Sequence, residues 1–187
     1  GEKITLRELL DGFGERALGA LLVVFAAPLV VPMPPGVSAV LGLPLLLFSA
    51  QFMLGMRRPW LPAALADRSI RGRDVIAMTT RVVPMLLRIE RLLHPRMSFL
   101  ARGPFARLVG ALAFVLAVIV FLPVPFGNML PSLAIAVLGL GLVERDGLAL
   151  LVGGGVAAAA LALLAWLGHA VFDAGVGLLA VAGGILA

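Results

Sequence analysis

No cysteine occurs in the 187 residues, which excludes a disulfide framework, zinc–thiolate sites and thiol catalysis. Histidine is almost as scarce. His94 and His169 are too far apart in sequence to suggest a histidine-rich metal site, and no cofactor is expected. Charge is scarce as well, at 13% of residues against about 25% in soluble domains. Two long runs, 17–56 and 108–143, carry no charge at all. What fills the space is apolar: 61% of residues are hydrophobic, and the mean hydropathy is +1.12. These absences point away from a soluble enzyme. They predict an all-α integral membrane protein with a single membrane domain over residues 1–187.

The charges that do occur are unevenly placed. Eleven arginines lie between 57 and 107, facing only Asp67, Asp74 and Glu90. So basic a stretch suggests nucleic acid, but an arginine-rich loop between apolar spans has a commoner cause, the bias of cytoplasmic loops toward positive charge. No nucleic-acid partner is therefore expected. The partner is a lipid bilayer, with loop 57–107 and the N-terminus on the cytoplasmic side. No short apolar core followed by a small-residue cleavage site opens the chain, so no signal peptide is expected. Gly1 in place of a start Met leads one to expect residues upstream.

Each uncharged run is broken at its centre. Pro32-Met33-Pro34-Pro35-Gly36 divides the first, and Pro123-Val124-Pro125-Phe126-Gly127-Asn128 the second. Proline removes a backbone donor and glycine admits unusual dihedrals, so a continuous helix through either motif is disfavoured. The expected units are two broken helical hairpins, re-entrant or fully spanning, with arms over 17–31, 36–56, 105–127 and 128–143. Shifting by 91 positions matches Arg16 with Arg107, Gly19 with Gly110, Pro32 with Pro123, Pro34 with Pro125 and Gly36 with Gly127, along with four Ala, Leu and Val pairs. We read an internal duplication: repeat 1 over about 5–66, a basic interfacial linker over about 67–97, repeat 2 over about 98–168, and a C-terminal segment 169–187.

Around the hairpins, interfacial amphipathic helices are expected. Thr5 and Glu8 stand at capping-box spacing and open a helix over 4–16. A short helix is expected over 63–70, and a longer one over 74–93, kinked at Pro84. Residues 147–168 are uncharged and form the clearest full span, with Gly153–Gly155 and Ala157–Ala160 as a small-residue surface for helix contact. That surface is the basis for expecting a homodimer. His169 and Asp173 are expected to cap this span before a last apolar segment.

Taken together, Gly14-Glu15-Arg16, Pro34-Pro35-Gly36-Val37-Ser38, Gly42-Leu43-Pro44-Leu45, Gln51, Arg57-Arg58-Pro59-Trp60-Leu61-Pro62, the Pro123–Asn128 motif and Leu142-Val143-Glu144-Arg145-Asp146-Gly147 make the chain resemble the exopolysaccharide synthesis ExoD family. The resemblance runs from about Ile4 to Leu167. It implies a multi-pass protein of the bacterial inner membrane that is linked to exopolysaccharide production, and it makes the polysaccharide synthesis machinery a partner. It names a pathway and no reaction.

For chemistry the residues offer little. Catalysis needs a positioned nucleophile, base or metal, and the polar side chains of the hairpins have no acid or histidine nearby in sequence. Glu144 and Asp146 flank Arg145 and look like a solvated helix end. No catalytic residue is assigned, and the protein is expected not to be an enzyme. Transport is better supported, because broken helices expose helix ends and carbonyls that bind ions or substrates. The expected substrate-binding residues are Pro34, Gly36, Gln51, Pro125, Gly127 and Asn128, with the two motifs meeting at the centre. Arg16, Arg57, Arg58 and Arg107 are the expected anion or headgroup contacts. A non-enzymatic assembly partner of the polysaccharide machinery is the competing reading, and an enzyme on a lipid-linked sugar the third.

Overall fold

The computed structural model describes residues 4–5, 16–31, 37–56, 58–60, 69–70, 93–122 and 127–186. Five helices dominate: α1 (Ala17–Ala26), α2 (Val37–Met53), α3 (Gly103–Phe121), α4 (Met129–Glu144) and α5 (Gly147–Leu186). The first hairpin motif with Pro34 and Gly36, Pro125 of the second, Arg57, and the segments expected as helices over 6–15, 63–68 and 74–92 lie outside the described residues.

Local chemistry explains most helix ends. Pro28 sits at the start of a 3-10 turn, Ala27–Val30, that tightens the end of α1 before extended Val31. Gly103, at φ +58°, and Pro104 open α3, where the missing proline N–H costs nothing and its φ is already helical. Leu122 is extended at the other end, as the residue before Pro123 must be. Pro44 lies inside α2. One turn below it the buried Ser49 hydroxyl donates to the carbonyls of Leu45 (2.6 Å) and Leu46 (3.2 Å).

The helices are expected as hairpins, and they pack as hairpins laid crosswise. The broadest contact joins α2 to α3, α5 lies broadly against α4, and α1 packs more on α4 than on α2, so that α1 and α2 each find their main partner in the other hairpin. Glycines set both crosswise contacts. A Cβ on Gly110 would stand 2.6 Å from Met53 N, and one on Gly42 3.1 Å from Phe121 Cα. Likewise a Cβ on Gly19 would be 3.1 Å from Gly139 O, and one on Gly139 2.9 Å from Gly19 O. The pairings are antiparallel: Gly42 meets Phe121 where Gly110 meets Met53, and Gly19 meets Val143 where Val23 meets Gly139. Hence α1 and α3 begin, and α2 and α4 end, at the same end of the bundle, here called the mouth. Leu18, Leu22, Leu45, Leu116, Ile135 and Leu138 fill the core between them, and the rings of Phe25 and Phe48 meet at 5.8 Å.

Three expectations need correction. Residues 4–5 and 69–70, assigned to helices from the sequence, are extended and form a two-residue antiparallel pair, Ile4 with Ile70 and Thr5 with Ser69. Three of the four are β-branched, and each pairs its backbone with the other segment. The 40-residue α5 runs through His169 and Asp173 without a break. Both are exposed on the helix, and with no proline there nothing competes with the helical backbone. Asp146 is not solvated. It is 3% exposed, and its Oδ1 accepts from Leu148 N (2.9 Å) and Ala149 N (3.4 Å) as the N-cap of α5. Its Oδ2 accepts from His94 N at 3.1 Å, and Gly147 N donates to Arg96 O at 2.7 Å. The end of the basic loop is thereby pinned to the α4–α5 turn.

The crosswise contacts are testable by adding a single methyl. Gly110→Ala is expected to lower the unfolding free energy by about 1–3 kcal/mol through overpacking against backbone. Gly154→Ala, with open space around it, is expected to leave it unchanged or raise it by up to ~1 kcal/mol through helix propensity. Denaturant unfolding of the two purified variants checks this, and equal stabilities would contradict the packing.

Candidate functional site: a basic cleft at the hairpin mouth

Where the four arms meet at the mouth, they leave a cleft of about 440 Å³. Four of its lining residues are arginines: Arg16 before α1, Arg102 and Arg107 at the start of α3, and Arg145 just past α4. No carboxylate is among the described lining residues. Phe52, Met56, Ala101, Ala106 and Leu142 supply the apolar part of the lining. Arg16 and Arg107, expected from the 91-residue shift as counterparts at two separate mouths, therefore border one space.

Backbone geometry places two of these cations. α2 ends in a glycine terminator: Gly55 is left-handed at φ +78°, and Met56 N donates to Gln51 O at 3.0 Å, closing the last turn. The guanidinium of Arg107 lies directly over this glycine, so that a Cβ there would stand 2.6 Å from Arg107 Nε. α4 ends in the same way, with Asp146 N donating to Gly141 O at 2.9 Å. Its left-handed residue, however, is Arg145 at φ 55°. A side chain in this conformation costs roughly 1 kcal/mol relative to glycine. At corresponding helix ends, then, one hairpin seats a cation on a glycine and the other replaces the glycine by a cation.

The structure does not bring Gln51 and Asn128 together. Gln51 is at the mouth end, 5% exposed, and clamps the backbone of Trp60: its Nε2 donates to Trp60 O (2.9 Å), and Trp60 N donates to its Oε1 (2.6 Å). Asn128 is at the opposite end, where its Nδ2 donates to Val120 O at 3.2 Å and ties α4 to the end of α3. Gly110 marks the level of Met53 and Val120 that of Asn128, so the separation along α3 is about 15 Å at about 1.5 Å per residue. Two polar atoms at this far end, Asn128 Oδ1 and Ser132 Oγ, are buried without a partner among the described residues. Gly127 is half-buried in the turn beside them, and Arg58 is exposed near Trp60. Arg102, Arg145 and Gly55 were not among the sequence candidates. The available signal was a glycine or arginine closing each apolar arm just where helix termination is needed.

Comparison with known proteins adds a third line. The family profile described as "Exopolysaccharide synthesis, ExoD" matches residues 1–166. The chain is 34% identical over 183 residues to "Protein ExoD" of Rhizobium meliloti (strain 1021), covering 95% of this chain and 76% of that one. It is 30% identical over 150 residues to an uncharacterized protein of Synechocystis sp., covering 79% of this chain and 71% of that one. No solved structure is significantly similar.

The two polar side chains should respond oppositely to truncation. Gln51→Ala removes both bonds to Trp60 and is expected to cost about 1–3 kcal/mol of stability. Ser132→Ala removes a hydroxyl with no partner among the described residues and is expected to be neutral or mildly stabilising. Melting curves of both variants check this. A loss at Ser132 as large as that at Gln51 would mean that its hydroxyl is bonded.

Proposed function

Because this chain belongs to the ExoD family of exopolysaccharide synthesis proteins, we propose that it is a multi-pass inner-membrane protein supporting exopolysaccharide synthesis or export in a transporter-like manner. The observation that carries the reading is the convergence of Arg16 and Arg107, from different hairpins, on one arginine-lined cleft at the end where both hairpins open. A charged space enclosed by the ends of four apolar helices is what a translocated or handed-over anion needs. Loop and cleft together then face the cytoplasm. The crosswise packing, with Gly19 on one hairpin and Gly110 on the other each pressed against the opposite second arm, supports a duplicated pair of hairpins related in parallel rather than inverted.

Membrane residence is supported by exposure as much as by length. α3 and the Gly147–Val176 part of α5 are long and apolar enough to cross a bilayer, yet only 28% and 22% of their most apolar windows are buried. A core helix of a water-soluble protein would be mostly covered. The 19 residues of α3 span about 28 Å, close to the roughly 30 Å of a hydrocarbon core. Gly154 and Gly155, with open space around them, are the surface on which a second copy would pack in a homodimer.

Topology is open to test because any introduced cysteine is unique. Cysteines at 58 and 102 are expected to react with an impermeant reagent from the cytoplasm. Cysteines replacing Val31 and Leu122, 62% and 50% exposed at the far end, are expected to react from the periplasm if the arms span. Protection of the far-end pair from both sides would show re-entrant tips, and periplasmic reaction at 58 and 102 would reverse the orientation.

The cleft's role is tested by complementation of a strain lacking this protein. Arg16→Gln with Arg107→Gln is expected to cut exopolysaccharide output at least tenfold at unchanged membrane abundance. Full output would remove the cleft from the mechanism and leave the assembly-partner reading.

A further inference from the structure

We propose that the mouth cleft is a receptor for the phosphate headgroup of a membrane lipid, which deepens the transporter-like reading and rests on its membrane setting. Three observations converge. The first is charge: Arg16, Arg102 and Arg107 border the space together with Arg145, with no acid among the described lining residues. A guanidinium donates in a planar fork that matches two oxygens of one phosphate, and several forks around one cavity can share a dianion. The second is placement. Arg102 precedes α3 and Arg107 is just over one turn inside it, so the two lie about 7.5 Å apart along the axis. That is about the depth of one headgroup layer beside the hydrocarbon core. Arg16, one residue before α1, shares the level.

The third observation is the mixed lining. Phe52, Met56, Ala101, Ala106 and Leu142 stand among the arginines around the same space. Guanidinium groups interleaved with apolar side chains match a molecule with a phosphate at its end and a hydrocarbon chain behind it. The space, about 440 Å³, is of ligand-pocket size rather than the size of a single ion. A phosphate monoester or diphosphate on a lipid is therefore the ligand class.

The seat of Arg107 on Gly55 supplies a probe that leaves the charge in place. Gly55→Ala puts a methyl carbon within 2.6 Å of Arg107 Nε and must displace the guanidinium, whereas Arg107→Gln removes it. Both belong in the test, together with Ser132→Ala as a variant at the far end that leaves all four arginines unchanged.

The full chain, purified in a neutral detergent, is titrated with short-chain phosphatidic acid, with short-chain phosphatidylcholine, and with inorganic phosphate and pyrophosphate, and affinities are read by calorimetry. Phosphatidic acid is expected to bind at least tenfold more tightly than phosphatidylcholine and than either inorganic anion. Arg107→Gln and Gly55→Ala are each expected to weaken it at least fivefold, with melting temperatures within a few degrees of the parent, and Ser132→Ala to weaken it less than twofold. Equal binding of phosphatidic acid and phosphatidylcholine would overturn the proposal. Inorganic pyrophosphate binding as tightly as phosphatidic acid would overturn the lipid assignment and identify a soluble phosphate compound instead. An intact Gly55→Ala would overturn the role of the Arg107 seat. Because this titration involves no polysaccharide, its failure is separable from that of the functional reading: headgroup binding with full complementation by the arginine variants sinks the transport role alone.

Discussion

Backbone against backbone, at two crossings, is the contact on which the rest depends. Gly110 lets α3 lie on the end of α2, and Gly19 with Gly139 lets α1 lie on α4. Neither approach leaves room for a Cβ. Because both crossings are antiparallel and both join different hairpins, the starts of α1 and α3 fall at the same level as the ends of α2 and α4. The cleft is a consequence of that level. Had each hairpin packed only on itself, Arg16 and Arg107 would sit at separate mouths with no common space between them.

The two helix ends at the mouth show how the same terminator can do different work. Gly55 accepts the left-handed conformation at no steric cost, and its missing side chain is the room that Arg107 occupies. Arg145 pays roughly 1 kcal/mol for the same conformation and brings a guanidinium to the cleft. Both ends still complete their last turn through equivalent hydrogen bonds, Met56 N to Gln51 O and Asp146 N to Gly141 O. Placing a cation is therefore separable from ending the helix.

Much of the fold was legible because it depends on composition and on proline. Uncharged runs located the arms, and Pro123 marked where the helical geometry of α3 ends. The 91-residue shift flagged Gly19, Gly110, Arg16 and Arg107, which the structure places at the crossings and the cleft. Illegible were the facts set by distant contacts. Gln51 reads as a lone amide in an apolar run, and nothing local says that its partner is the backbone of Trp60. Asp146 reads as part of a solvated polar stop, yet it is buried because loop residues 93–97 return over it. The expected meeting of Gln51 with Asn128 failed for a simple reason: they lie at opposite ends of their hairpins, so antiparallel packing separates them.

Crosswise packing also has a temporal side. A chain made from its N-terminus delivers α1 and α2 well before their main partners exist. Met53 must wait for about 70 more residues before α3 is complete, roughly 4–14 s at about 5–20 residues per second. For α1, whose partner is α4, the delay is longer still. During that interval the first hairpin carries an open glycine groove and unfilled core positions at Leu18, Leu22 and Leu45. The basic stretch between the hairpins sets the length of this pause. Shortening it would quicken the marriage of the two halves, and lengthening it would leave the first half more time to be captured by another chain.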